Sequence, residues 1–522
     1  MHSAAAHPSA PRSSSLPRFA RSFRARIGAA LALIAAGDLL FFRHGTGATL
    51  GLFALVVLTA MATTRPAILR NAAPRAAAAA ALVFAAALAD DPSLLAAGLF
   101  WAAALSAALL PRQRLENGLR WAKRLLQTPF ASIAEPSRNW RAARRARGRG
   151  AAPGLGASLP LLAVPVAGSA LFLLLFASAN PIIGDAFDRV DPGMLFGGFS
   201  FLRPVFWLLL GIGIWSLLRP AMLRPAPIAE PGEVRALPGI GIASVTLSLV
   251  TFNLIFALQN GLDLVFLWSN APLPDGMTLA QYAHRGAYPL IATALLAGAF
   301  VLLALRPGSE MAASPLIRRM VYLWIGQNVL LVASTMLRTA DYIDAFSLTR
   351  LRIAALVWMA LVAVGLLLIC YRVWRDKGGI WLVNANLAAA AAALTGCAFV
   401  DLGAAAASWN VRHTREVGGN GSLLDLCYLN RLGASALLPM IELESRPIGP
   451  VLRARVAWSR GVQYRALEAE QADWRRWTFR GHRRLAEARR LIAERRLPPA
   501  PQDERGCNGL GAAPALTAPL GG

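Results

Sequence analysis

The stretch NLIFALQNGLDLVFLWSNAPLPDGMTLAQYAHRGAYP, Asn253–Pro289, decides how the chain is read. It begins inside an apolar run and carries Asn253, Gln259, Asn260 and Asp263 through that run. It leaves through a polar loop and re-enters an apolar run at Tyr288. Repeated along the chain, this alternation describes an all-α, polytopic transmembrane helix bundle with a C-terminal extramembrane helical region.

Composition agrees. Of 522 residues, 56% are hydrophobic and only 16% are charged. Soluble domains average about 45–50% apolar and about 25% charged residues. The net charge of +25 is carried almost wholly by arginine, Lys123 and Lys377 being the only lysines. In a membrane chain such an excess holds loops on one side and meets anionic head groups. No basic stretch has a helix-turn-helix, RNA-recognition or zinc-finger pattern, so nucleic acid is not an expected partner.

A spanning helix needs about 20 mainly apolar residues. Runs near 27–42, 47–63, 75–89, 93–110, 158–178, 202–218, 240–268, 286–305, 320–337, 353–371 and 380–400 give about 11 spans. With a cytoplasmic N-terminus, 28 Lys and Arg fall in cytoplasmic loops and six in the opposite ones. Basic loops stay inside, which favours this orientation. An odd count then puts the C-terminus outside the cytoplasm. The expected organisation is a disordered basic segment at 1–26, N-terminal spans over 27–110, a basic cytoplasmic loop at 111–157 and core spans over 158–400. A helical Arg/Trp-rich tail follows at 401–496, then a Pro-, Gly- and Ala-rich disordered end at 497–522.

Asn253, Asn260 and Asp263 share one face of the seventh span, and Gln259 lies beside it. Gln327, Ser334, Arg338 and Asp341 share one face of the ninth. A charge at the centre of a span costs about 2.5–3.5 kcal/mol on insertion scales. Such residues face other helices or a cavity and are candidates for function. Two readings stand: interhelical hydrogen bonding, or a chamber for an anionic or zwitterionic ligand. His284, Arg285, Arg350 and Arg352 join the candidates because the topology brings them to the same side. The arginines at 350 and 352 also break the charge asymmetry, which points to partners or a ligand holding them.

No Walker A loop, HExxH, GxSxG or GxGxxG occurs, and no histidine pair has metal-ligand spacing. No catalytic residue, metal site or cofactor is assigned. Cys370 and Cys397 read as packing residues, while Cys427 and Cys507 are able to meet in the tail. In the tail, LAEARRLIAERR (485–496) puts Leu485, Ala488, Ile492 and Arg496 on one side and sets Glu487 beside Arg490 and Arg484.

LWSNAPLPDGMTLAQYAHRGAYPL, ADYIDAFSLTRLRIAALVWM and DWRRWTFR resemble a bacterial integral-membrane family known as domain of unknown function group four-one-seven-three, related to group four-one-five-three. The resemblance covers roughly residues 160–480. It rests above all on GMT-x3-YAHRGAYP and on Leu348–Arg352, with Asn410-Val411-Arg412 and Asp425-Leu426-Cys427-Tyr428-Leu429 as further steps. An acid usual near Ser435 is missing here. The resemblance implies a multi-pass bacterial inner-membrane protein and no particular activity. Three functions are compatible with this reading: a non-enzymatic envelope scaffold, sensor or accessory component; a transporter or lipid-handling protein; and a membrane-embedded lipid- or glycan-modifying enzyme. Expected partners are anionic membrane lipid, through the Arg-rich loops, and an envelope protein or a second copy of the chain.

Overall fold

The computed structural model describes residues 16–115, 117–133, 202–221, 241–268, 296, 300, 313–419 and 421–510. Among these residues there are sixteen α-helices and no β-strand. Five helices are long and apolar enough to cross a membrane: Ala72–Asp90, a segment Ile242–Val265, Pro315–Phe346, Arg350–Trp374 and Gly379–Phe399. Thr49–Thr64, Leu94–Leu109 and Leu202–Leu218 are shorter apolar helices. The expected spans at 158–178 and 286–305 lie outside the described residues, except for residues 296 and 300.

The chain forms two compact units. The first comprises Met1–Ala85, Phe100–Arg114 and Ala122–Arg224. In it α1 (Leu16–Phe41) packs on α2 (Thr49–Thr64) and on α7 (Leu202–Leu218). Gly37 leaves room for Leu210, Ile34 lies against Gly211, and Asp38 pairs with Arg203. The numbers run in opposite directions, so α1 and α7 are antiparallel. The Trp207 indole also donates to Asp38 (2.8 Å). α1 already begins at Leu16, inside the stretch that composition reads as disordered. Its apolar run from Ile27 nucleates a helix that then extends back through an arginine-rich turn.

The second unit comprises Ala86–Leu99, Leu115–Trp121 and Pro225–Gly522. It contains the last turn of α4 (Ala72–Asp90), the first turns of α5 (Leu94–Leu109) and of α6 (Gly118–Ile133), and every described helix beyond residue 225; the short α3 (Ala67–Arg70) belongs to the first. The membrane-length helices of the second unit are α8 (Ile242–Trp268), α9 (Pro315–Phe346), α10 (Arg350–Trp374) and α11 (Gly379–Phe399). Ser314-Pro315 opens α9, since proline at the first helical position gives up an N–H that has no partner anyway. Thr349 caps α10 by accepting from the Arg352 N–H. Their core is Val245, Leu249, Val321, Ile325, Leu366 and Ile369, centred on Trp324. Phe252 stacks on that indole with ring centres 5.3 Å apart. With 32 residues α9 is about 48 Å long, well beyond a hydrocarbon core of about 30 Å. Just past its end, the Leu348 N–H donates to Asn410 of the tail.

The tail is a folded helical body: α12 (Leu402–His413), α13 (Leu426–Arg431), α14 (Leu437–Glu444), α15 (Pro450–Ala472) and α16 (Phe479–Glu494). One cluster joins Val411, Leu429, Met440 and Val456. Another joins Leu437, Ile441, Leu467 and Leu485. Between them Arg460 and Glu444 form a buried two-pronged ion pair (Nε to Oε2 2.6 Å, Nη2 to Oε1 3.3 Å). Cys427 and Cys507 are joined in a disulfide across 80 residues. On chain-entropy grounds such a closure contributes about 4 kcal/mol. Residues 497–510, which composition reads as disordered, are thereby held. Arg460 donates to the Pro498 carbonyl, Trp458 to Asp503 and Arg455 to Asn508, each within 2.8 Å. Proline-rich sequence lacks apolar mass, and here arginine donors and a covalent bond replace it.

Arg460→Ala is expected to destabilise the tail by about 3–5 kcal/mol, because Glu444 stays buried without its counter-charge. Replacing both residues together, Arg460→Met with Glu444→Leu, returns most of that loss. Thermal unfolding of the purified full chain, followed by tryptophan fluorescence, measures both.

Candidate functional site

The two polar stripes face each other. On α8, Val245, Leu249, Asn253, Asn260 and Asp263 are buried at helical spacing. On α9, Val321, Trp324, Asn328, Leu331 and Arg338 are. Asn253 donates to the Met320 carbonyl (3.1 Å) and accepts from the Gln327 amide (2.8 Å). Asn260 donates to the Gln327 carbonyl (3.1 Å). Arg338 pairs with Asp263, which also accepts from Gln259 (3.0 Å). Along both helices the numbers rise together, so α8 and α9 run parallel. The seam is polar in steps, apolar residues filling the turns between. Among the described residues, four buried side-chain oxygens of these two helices have no hydrogen-bond partner: Asn260 Oδ1, Asp263 Oδ2, Gln327 Oε1 and Ser334 Oγ.

Asn253→Leu is expected to weaken the α8–α9 pair by about 1–3 kcal/mol, from lost interhelical bonds and a stranded Gln327 amide. Adding Gln327→Leu recovers part of it. Unfolding of the reconstituted chain by titrated denaturing detergent reads the difference.

The remaining described candidates lie where the α9–α10 turn meets the tail. Asn410 clasps the backbone of Leu348 from both sides, accepting from its N–H (2.6 Å) and donating to its carbonyl (3.0 Å). Tyr428 accepts from the Arg350 N–H (2.9 Å), and Asp425 in turn caps Tyr428 (2.8 Å). The guanidinium of Arg350 packs against Gly403. Arg352 donates to the Phe346 carbonyl (2.6 Å) and lies 4.2 Å over the Tyr342 ring. The motif residues Leu348–Arg352, Asn410 and Asp425–Tyr428 thus form one contact. Asp341 is exposed and stands apart from it. His284 and Arg285 lie outside the described residues. Beside the contact is a small cleft lined by Asp344, Trp409, His413, Thr414 and Ser422. The Trp409 and His413 rings stack there at 3.8 Å.

A third cluster was not foreseen from the sequence. Arg480 binds Asp90 (3.0 Å), Asp91 (2.7 Å) and the Phe399 carbonyl (3.2 Å). Arg483 binds Asp90 (2.6 Å). Arg484 pairs with Asp401 rather than with Glu487, which keeps Arg490 alone of the two expected partners. Asp401 also accepts from Ser435 (2.9 Å) and caps α12 through the Ala404 N–H (2.9 Å). The clamp fastens α16 to the ends of α4 and α11. Two signals pointed to it: the acids Asp90 and Asp91 directly after an apolar run, and arginines at 480, 483 and 484 on one helical face. Serine at 435 suits the cluster, since a carboxylate there would repel Asp401.

Burial pushes the Asp401 carboxyl up, but the Ala404 N–H, the Arg484 charge and the Ser435 hydroxyl outweigh it and hold it below its ordinary 3.8. A lowered carboxylate stabilises the fold fully above 3.8 and loses that contribution as pH falls through its own value. The tail is therefore expected to stay docked in mild acid and to loosen only below about pH 4, a transition that Asp401→Asn removes. Hydrogen exchange of α16 across a pH series, in the full chain, checks this.

No curated protein and no solved structure matches the chain. A family model described as "Domain of unknown function (DUF4153)" matches residues 76–443, which include both polar stripes, the motif contact and the acidic half of the clamp. The chain belongs to this family of unknown function, DUF4153.

Proposed function

We propose that this chain is a multi-pass protein of the bacterial cytoplasmic membrane and a non-enzymatic envelope component, a scaffold or sensor that presents its folded tail outside the cytoplasm. The observation that carries this reading is the clamped, disulfide-closed tail. Disulfides persist in oxidising compartments and are rare in the cytosol, so the bond between Cys427 and Cys507 favours an extracytoplasmic tail. Asn253, Gln259, Asn260, Asp263, Gln327 and Arg338 are engaged with each other, and the backbone of Leu348 and Arg350 with the tail.

The helix directions support the topology. The Gly118 N–H, from the basic loop, meets Asn384 near the start of α11 (2.8 Å), while Arg480 meets Phe399 at its end (3.2 Å). Basic loop and tail thus lie at opposite ends of one span. Parallel α8 and α9 need an odd number of crossings between them, which the single span expected at 286–305 supplies. Eleven spans with an internal N-terminus satisfy these constraints. The motif contact around Leu348 favours kinship with group four-one-seven-three within the broader family.

One observation favours a second reading. The four unpartnered oxygens of the α8–α9 seam are acceptors, as a transporter or lipid-handling protein would use for a cation or a lipid head group.

Two measurements test these readings. Cells are quenched in acid, and the denatured protein is treated with a polyethylene-glycol maleimide before and after reduction. The proposal expects two additions before reduction, at Cys370 and Cys397, and four after. Four additions before reduction would put the tail in a reducing compartment and sink the topology. In deletion cells, Asn253→Leu and Asp263→Asn at normal abundance are expected to restore growth under envelope stress, and Arg480→Ala to fail. The reverse pattern would make the seam the working part.

A further inference from the structure

The turn between α15 and α16, Asp473-Trp474-Arg475-Arg476-Trp477-Thr478-Phe479, has an unusual composition for a loop between exposed helices. Trp474 is 58% exposed and Phe479 is 50% exposed. The Arg475 guanidinium lies 4.6 Å over the Trp474 ring, and Trp477 meets Phe479 edge-on at 4.6 Å. Thr478 caps α16 through the Gly481 N–H (3.0 Å) and so fixes where the turn ends. Among the described residues of the tail, none covers the outer faces of Trp474 and Phe479.

The position of the turn is set by its neighbour Arg480. That side chain holds the carbonyl of Phe399, the last residue of α11, and the carboxylates of Asp90 and Asp91 at the end of α4. Two membrane-length helices therefore end at the level of this turn. Few residues of α11 are fully buried, and Ile380, Leu387 and Leu394 expose apolar side chains along its length. At its end Phe399 (44% exposed) and Val400 (54% exposed) continue that apolar surface towards the turn. Asp401, one residue later, belongs to the polar clamp. Apolar surface, exposed aromatics and arginines succeed one another across the same boundary.

We propose that this turn is a lipid-interface anchor. Trp474 and Phe479 enter the boundary between head groups and acyl chains, continuing the rim of Phe399 and Val400, while Arg475, Arg476 and Arg483 meet lipid phosphate. Tryptophan is favoured at this level because its ring is apolar and its N–H is polar. Arginine is favoured because its stem packs along apolar surface and its head pairs with phosphate. Arg476 and Arg483 also hold Glu470 and Asp90, which sets them in place without removing their exposed faces. The anchor rests on the membrane reading above, and it makes lipid a third support of the tail beside the clamp and the motif contact.

The test uses the full chain with Cys370→Ser and Cys397→Ser, reconstituted in vesicles of phosphatidylcholine and phosphatidylglycerol. A fluorescent thiol label is placed either at Trp474→Cys or at Val364→Cys, an exposed position midway along α10. Lipids brominated at graded depths then quench whichever label they touch. The label at 474 is expected to lose most fluorescence to bromines within about 5–10 Å of the hydrocarbon boundary, and the label at 364 to bromines near the bilayer centre. Quenching at 364 with none at 474 would overturn the anchor and leave the membrane reading intact. No quenching at either position would overturn both. A second measurement leaves the turn unlabelled. The difference in intrinsic fluorescence between the native chain and Trp474→Phe isolates one indole, and shallow bromolipids are expected to diminish that difference. A difference that bromolipid leaves unchanged while soluble iodide removes it places Trp474 in water, free for a protein partner, and overturns the proposal.

Discussion

A polar side chain on a helix without water around it must find its partner on another helix. That constraint organises the second unit. Asn253 and Gln327 satisfy one another between α8 and α9, Asn260 takes a carbonyl one step further on, and Arg338 neutralises Asp263. Each bond fixes the register of the next. Together they set the two helices parallel, and from that direction follow the sense of α10 and α11 and the end at which the tail is built. Individually such bonds contribute little, about 0.6–2 kcal/mol each. Their value lies in excluding the other registers, in which the same groups would face hydrocarbon.

Much of this was legible in the chain. Several apolar runs lie within a few residues of described helices, although α1 starts earlier and α9 ends later than its run, and 3.6-residue spacing put Asn253, Asn260 and Asp263 on one face. The sequence could not say that the faces of α8 and α9 meet, because any two amphipathic faces are compatible until packing chooses. Nor could it separate pairing from a chamber: Asn253 and Arg338 look the same in either. The family steps at Leu348–Arg352, Asn410 and Tyr428 were visible as motifs, yet their unity as one contact is purely spatial. The clamp was missed for another reason. Arg484 has Glu487 within reach along its own helix, and local pairing is the natural first reading; Asp401 wins because a buried cap fixed by Ser435 is already in place.

The tail shows how a strongly basic sequence becomes a compact body. Its arginines are spread among carboxylates, backbone carbonyls and aromatic rings. Arg460 is consumed by Glu444 and Pro498, Arg455 by Asn508, Arg480 by Asp90, Asp91 and Phe399. A guanidinium has five donors in a rigid fork and serves several acceptors at once, which an ammonium does not. Along residues 497–510, arginine and tryptophan donors hold the carbonyls of Pro498, Asp503 and Asn508.

The parallel arrangement of α8 and α9 also dictates a timetable. Adjacent antiparallel helices can enter a membrane as a hairpin, each shielding the other. On the proposed multi-pass reading, parallel ones cannot, since chain that recrosses must be made between them. Asp263 precedes Arg338 by 75 residues. At a synthesis rate of about 5–20 residues per second, the carboxylate waits some 4–15 s for its counter-charge. On the proposed multi-pass reading, α8 must be sheltered by the insertion machinery or held near its exit during that interval.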